Sequence, residues 1–217
     1  MSKIRTPSTS APILWPTGRD LPDRWSMVPF ERVAKLVKRR EAVEPERNYA
    51  LLGMRWYAKG PYVKEQLPGT NIKATHVYKV AKGDFIYNRL FAWKGSFGVV
   101  DENCAHGYVS GEFPVFETAQ EFDAYYLWFL FSQPWVWAML ENRSAGTTST
   151  SRLRLKEEDL AKFVIPIPND RDRKQLVEDV RTTFARIALA REAAVQQLEA
   201  VESLPLSVIR RAFNGVL

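Results

Sequence analysis

From Asp170 to Ser203 the chain carries neither glycine nor proline. Its apolar residues Leu176, Val180, Phe184, Ile187, Ala190, Ala194, Leu198 and Val201 recur there at spacings of three and four. That period places them on one narrow stripe of a helix. At 1.5 Å per residue, a helix from Asp172 to Ser203 reaches roughly 45–50 Å. A stripe of that length needs cover, because a long exposed apolar surface is unfavourable in water. The cover is either the chain's own domain or a separate helix. The narrowness of the stripe and the heavily charged opposite face favour a separate helix. Leu176, Val180, Phe184, Ile187, Ala194, Leu198 and Val201 are therefore the expected dimerisation residues. Leu204-Pro205 is expected to interrupt the helix before a terminal turn or two over Leu206–Phe213.

The rest of the chain has a different composition. Seven Trp, eight Tyr and twelve Phe among 217 residues, with 46% hydrophobic content, exclude a disordered chain and predict a real core. A formal net charge of +6 and a sequence pI near 9.4 favour a polyanionic partner. Cys104 is the one cysteine, which excludes a disulfide framework and a thiolate metal cluster. The N-terminus has no apolar run of signal-peptide type, and Tyr125–Phe131, the longest apolar stretch, is too short to span a bilayer. A soluble, cytoplasmic chain is expected.

Three segments follow from composition: an extended lead-in over 1–24, rich in Pro, Ser and Thr; a globular part over 25–169; and the helical arm over 170–217. Phe30–Arg39 reads as a short helix with Val33, Leu36 and Val37 inward and Lys35, Lys38, Arg39 and Arg40 outward. Tyr49–Val80 shows short β-like runs broken at Gly53, Gly60-Pro61 and Pro68-Gly69. Phe85–Phe91 and Phe97–Val100 flank Trp-Lys-Gly-Ser and read as a hairpin. Pro114–Phe116 and Phe163–Pro168 read as strands, and Phe122–Phe131 is followed by a helix opened by Pro134 and running to Leu140. The aromatic residues Tyr125, Trp128, Phe129, Trp135 and Trp137 are read as core packing rather than as a base-stacking platform. The fold class is α/β (α+β), with a mainly β core, flanking helices and a long C-terminal coiled-coil-forming helix.

Catalytic constellations are lacking. There is no Asn-Pro-Pro-Tyr loop for base methylation and no glycine-rich turn leading into a helix for a nucleotide or S-adenosylmethionine. His76 and His106 lack metal-ligand spacing, and Cys104 with His106 on one short loop is poor geometry for a nucleophile and its base. No cofactor and no metal are expected. What the hairpin offers instead is cation among aromatics: Arg89 between Tyr87 and Phe91, and Lys94 beside Trp93. That mixture suits phosphates and flat bases, and equally a core hairpin with two solvated charges.

Taken in order, several segments resemble a known family: Trp25-Ser26-Met27-Val28-Pro29-Phe30; Gly83-Asp84-Phe85-Ile86-Tyr87-Asn88-Arg89 with Gly95-Ser96-Phe97-Gly98; Ser110-Gly111-Glu112-Phe113-Pro114-Val115-Phe116; Gly146-Thr147-Thr148; Leu160–Pro168 with Gln175; and Ile209-Arg210-Arg211-Ala212-Phe213-Asn214-Gly215. Their order and spacing resemble the specificity subunits of type I restriction–modification systems, from about Trp25 to the end of the chain. The resemblance implies a DNA target-recognition domain followed by a long spacer helix. It also implies a non-catalytic role and assembly with DNA methyltransferase subunits, and in the full complex with restriction subunits. The usual subunit has two recognition domains and two helices, whereas this chain has one of each. A half-subunit is therefore expected, pairing through its helix with a second copy or with a different half-subunit to read a bipartite site. The alternative of another class is a coiled-coil interaction protein that occupies methyltransferase or restriction subunits as an anti-restriction decoy.

Under that reading, DNA contacts are expected from polar and cationic loop residues. They are Arg55, Tyr57, Lys59 and Lys64 around Gly60-Pro61; Arg89, Lys94 and Ser96 of the hairpin; and Thr147, Thr148, Ser149 and Arg152 before the last strand.

Overall fold

The computed structural model describes residues 20–119, 122–144 and 154–213. It divides into two units, one ending at Val177 and the other running over Glu178–Leu217. In the first, the opening strand β1 (Ser26–Pro29) pairs antiparallel with the last strand of the head, Val164–Ile167, with Ser26 opposite Ile167 and Pro29 opposite Val164. The two ends of the head are thereby tied together.

The nine strands between them build two sheets. After β2 (Ala34–Val37) and β3 (Arg40–Ala42) come β4 (Asn48–Met54), β5 (Pro61–Pro68) and β6 (His76–Lys79). Then follow β7 (Phe85–Tyr87), β8 (Phe97–Val99), β9 (Tyr108–Val109) and β10 (Val115–Thr118), and the closing strand is β11. One sheet has the order β2-β10-β7-β8 and the other β3-β6-β9-β4-β5. β4 and β9 run parallel and the remaining neighbours antiparallel.

The expected helix over Phe30–Arg39 is not there. A single 3-10 turn covers Phe30–Arg32, and β2 takes Ala34–Val37 into the register Val37↔Val115 and Leu36↔Phe116. Arg39 points not to solvent but to Asp84, a buried carboxylate that it grips at 2.6 and 3.1 Å.

Strand β7 is three residues long and buried on both faces. Successive side chains of a strand point to opposite sides, so Phe85 and Tyr87 enter one core while Ile86 enters another. The first core is a cluster of rings: Phe97 meets Phe131 at 4.8 Å, Phe30 meets Phe116 edge-on at 5.2 Å, and Tyr87 stacks on Phe97 at 5.3 Å. Helix α1 (Ala124–Phe131), capped by the Asp123 carboxylate on the Tyr125 N–H, covers this cluster with Leu127 and Phe131. Helix α2 (Pro134–Ser144) follows, opened by proline at its first position. The helical aromatics Tyr125, Trp128, Phe129, Trp135 and Trp137 lie partly buried against the core.

A short α3 (Glu157–Ala161) precedes β11, and Asn169 then caps α4 (Asp170–Phe213) by accepting from the Arg171 and Asp172 N–H groups, both at 3.1 Å. The 44 residues of α4 span about 66 Å at 1.5 Å each. The helix does not stop at Leu204-Pro205 as the sequence suggested. It continues through Pro205, which removes one N–H donor without ending the element. Among the described residues no helix is long and apolar enough to cross a membrane.

Candidate nucleic-acid interface

The β4–β5 hairpin ends with Met54 opposite Pro61, leaving Arg55–Gly60 as its tip. Tyr57 and Ala58, at φ 58° and 51°, are both left-handed. Residues with a Cβ adopt that conformation at a cost of roughly 1–2 kcal/mol each, so something must hold them. The Tyr57 N–H donates to the Lys94 carbonyl and the Ala58 N–H to the Gly95 carbonyl, each at 2.8 Å. The tip is thus docked on the connection between β7 and β8.

That connection is itself fixed. A 3-10 turn over Ala92–Lys94 ends at Gly95, whose φ of 68° suits glycine. The Asn88 side chain accepts from the Leu90 N–H at 2.9 Å, and the Trp93 indole donates to the Leu90 carbonyl at 3.0 Å. Gly95 also lies against Trp137 of α2: a Cβ there would stand 2.3 Å from the indole.

The two loops present a joint surface. Trp56 is 39% and Tyr57 55% exposed, large values for aromatic side chains. Trp56 rests on Phe91 at 5.4 Å and Tyr57 on Trp137 at 5.9 Å. The Lys94 ammonium lies 3.8 Å from the Trp56 ring centre, and the Arg55 guanidinium 4.1 Å from that of Tyr62. These cations are held over ring faces, and neither has a carboxylate ion-pair partner among the described residues. Lys59 has no ion-pair partner among the described residues. Beside the tip, an open concavity of about 600 Å³ runs over the sheet face, lined in part by Trp56, Tyr62, Lys64, Asn88 and Phe91.

Of the residues singled out from sequence, Arg55, Tyr57, Lys59 and Lys94 come together at this surface. Lys64 lies on β5, lines the concavity and pairs with Glu65 at 3.2 Å. Two others must be reassigned. Ser96 is fully buried and faces no solvent. Arg89 is an internal cross-link: its Nε and Nη2 donate to Glu157 at 2.9 and 2.5 Å, and its Nη1 donates to the Gly111 carbonyl at 2.5 Å. Burial opposes the charge on Glu157. Its backbone hydrogen bond and the Arg89 pair nevertheless hold its carboxyl below the ordinary carboxylate value. With every guanidinium edge occupied inside the head, Arg89 is a structural residue. Thr147, Thr148, Ser149 and Arg152 lie outside the described residues.

Trp56 joins this surface although it is not among the residues singled out from sequence. Its signal was present in Arg-Trp-Tyr-Ala-Lys-Gly-Pro, where a turn carries two adjacent aromatics between cations. Cys104 is buried and its thiol is pushed up to about 11 by burial and by Asp101, the opposite of an activated nucleophile.

On α4 the expected dimerisation stripe is also revised. Leu176 packs against the core of the head and Val180 is buried, so neither is available to a partner helix. Phe184 is half-buried. Ile187, Leu189, Val195, Leu198, Val201 and Leu204 are exposed, and Ala194 lies among them.

This arrangement, a head of two larger sheets and a two-stranded one with flanking helices, followed by a long terminal helix, matches the fold of part of a specificity subunit of type I restriction–modification systems. The chain is similar to the HsdS subunit from Thermoanaerobacter tengcongensis, with a TM-score of 0.63 at 17% identity over 87% of this chain and 49% of that one. It is equally similar to a chain from a structure of the type I R-M system that treats complex assembly and conformational transition, with a TM-score of 0.61 at 17% identity, covering 89% of this chain and 50% of that one. At such identity the likeness is one of fold, and the chain spans about half the length of these solved structures. No protein-family model and no curated protein sequence matches it.

Proposed function

We propose that this chain is a non-catalytic, sequence-specific DNA-recognition subunit of a type I restriction–modification system. In this reading the head is a single target-recognition domain that docks on double-stranded DNA through the Arg55–Lys59 tip and the Lys94 connection. The chain brings DNA-adenine methyltransferase subunits, and in the full complex restriction subunits, to their site. The observation that carries the reading is the HsdS fold bearing a surface of cations and exposed aromatics at one pair of loops.

The exposed apolar residues of α4 from Ile187 to Val201 support pairing with a second half-subunit. Two copies joined through an isologous helix contact would present two reading heads related by a two-fold axis, suited to an inverted repeat.

The test is duplex binding by the full chain across a salt series. Arg55, Lys59, Lys64 and Lys94 on phosphates predict a log–log slope of about −3 to −4 per head. A slope near zero, or no binding to duplex, would overturn the assignment.

A further inference from the structure

The aromatic pair at the hairpin tip is placed in a way that affinity for phosphate does not explain. Trp56 and Tyr57 are adjacent and exposed, and cations surround them: Arg55 and Lys59 in sequence and Lys94 across the docked connection. A protein that only needed phosphate contacts would gain nothing from a ring at a left-handed position, where Asn or Gly fits better. Here the strained conformation is maintained by two backbone hydrogen bonds and by the Tyr57–Trp137 contact. Strain retained at an exposed position is a reason to look for a binding role. The clamp also makes the tip rigid, so little ordering is left to be done when it meets a partner.

We propose that Trp56 and Tyr57 form an aromatic wedge that enters a base step of the bound duplex and unstacks it. Part of the chain's specificity then comes from how easily that step deforms, rather than from hydrogen bonds to base edges alone. The inference rests on the DNA-recognition reading above. Its physical logic is that of side chains that insert between bases: neighbouring cations draw the phosphates in, while a rigid ring replaces a lost stacking partner. Flexible pyrimidine–purine steps are the favoured point of entry. The alternative occupant, an apolar face of a protein partner, does not call for Arg55, Lys59 and Lys94 around the rings.

The experiment uses the full chain and a duplex selected from a random-sequence pool by binding to it. Each adenine of that duplex is replaced in turn by 2-aminopurine, whose fluorescence rises on unstacking, and thymines are probed with permanganate. The native chain and Tyr57→Phe should light up one step. Trp56→Ala and Tyr57→Asn should leave the duplex stacked and bind it about tenfold more weakly. Because Asn tolerates the left-handed conformation, which offsets the lost Tyr57–Trp137 contact, Tyr57→Asn should melt close to the native chain, which separates a lost wedge from a lost fold. A selected duplex that is bound with every step stacked overturns the wedge alone, as does unstacking by Tyr57→Asn equal to that of the native chain. Failure to enrich or bind any duplex overturns the DNA-recognition reading, and the wedge with it.

Discussion

Gly95 and Gly83 offer a matched pair for testing how the hairpin tip is held. Both are left-handed, at φ 68° and 88°, so an alanine costs roughly 1–2 kcal/mol at either position through backbone conformation. Their surroundings differ. A Cβ on Gly83 meets nothing within 4 Å, whereas one on Gly95 stands 2.3, 2.5 and 2.7 Å from Trp137 ring atoms. The indole cannot retreat freely, since its N–H donates to the Phe131 carbonyl at 2.7 Å. Overpacking of this kind costs about 1–3 kcal/mol, which brings Gly95→Ala to about 2–5 kcal/mol in all. With a urea slope of about 2 kcal/mol/M, the midpoint should fall by about 1–2.5 M for Gly95→Ala and by about 0.5–1 M for Gly83→Ala. Displacing Trp137 also removes the support of Tyr57. Gly95→Ala should therefore weaken duplex binding under conditions where it is still folded, and Gly83→Ala should not. Equal midpoints and equal binding for the two variants would refute the packing of Trp137 on Gly95 and the site built upon it.

Three further outcomes follow from the same contacts. Arg89→Met should cost about 1.5–3 kcal/mol by stranding Glu157. Because the folded form lowers the Glu157 carboxyl, its contribution is present above about pH 4.3 and lost as pH falls through the lower folded value; urea midpoints from pH 3 to 7 should fall more steeply on the acid side in the native chain than in the variant. Lys59→Ala and Lys94→Ala should each reduce the salt slope of duplex binding by about one, while Lys162→Ala leaves it unchanged. Leu198→Glu with Val201→Glu should yield monomers by light scattering with the head still folded, and an unchanged dimer would remove α4 from the account.

How much of this was legible in the sequence depended on the range of the interactions. The α4 pattern was readable because helical contacts are local. Its extent past Pro205 was not, since one missing donor weakens a long helix without terminating it. The segment of β2 carries a helical spacing in Val33, Leu36 and Val37, and what makes it a strand is pairing with β10 some eighty residues away. Arg89 looked like a DNA ligand for the same reason: Glu157, the partner that occupies it, lies 68 residues on. Ser96 sits in a polar, glycine-rich turn, yet the fold buries it fully, and no local pattern announces such cover. The Arg55–Lys59 cluster is visible in the sequence because its residues are contiguous, while its meeting with Lys94 needs the fold.

The central claim is that this chain directs methylation to a DNA sequence. Methylome sequencing of cells carrying the chain together with a DNA-adenine methyltransferase subunit of such a system tests it most directly. The account predicts methylated adenines confined to one bipartite motif, palindromic if two identical copies pair. That motif should disappear when the chain is deleted and weaken with Trp56→Ala. An adenine methylation pattern unchanged by the deletion would contradict the account.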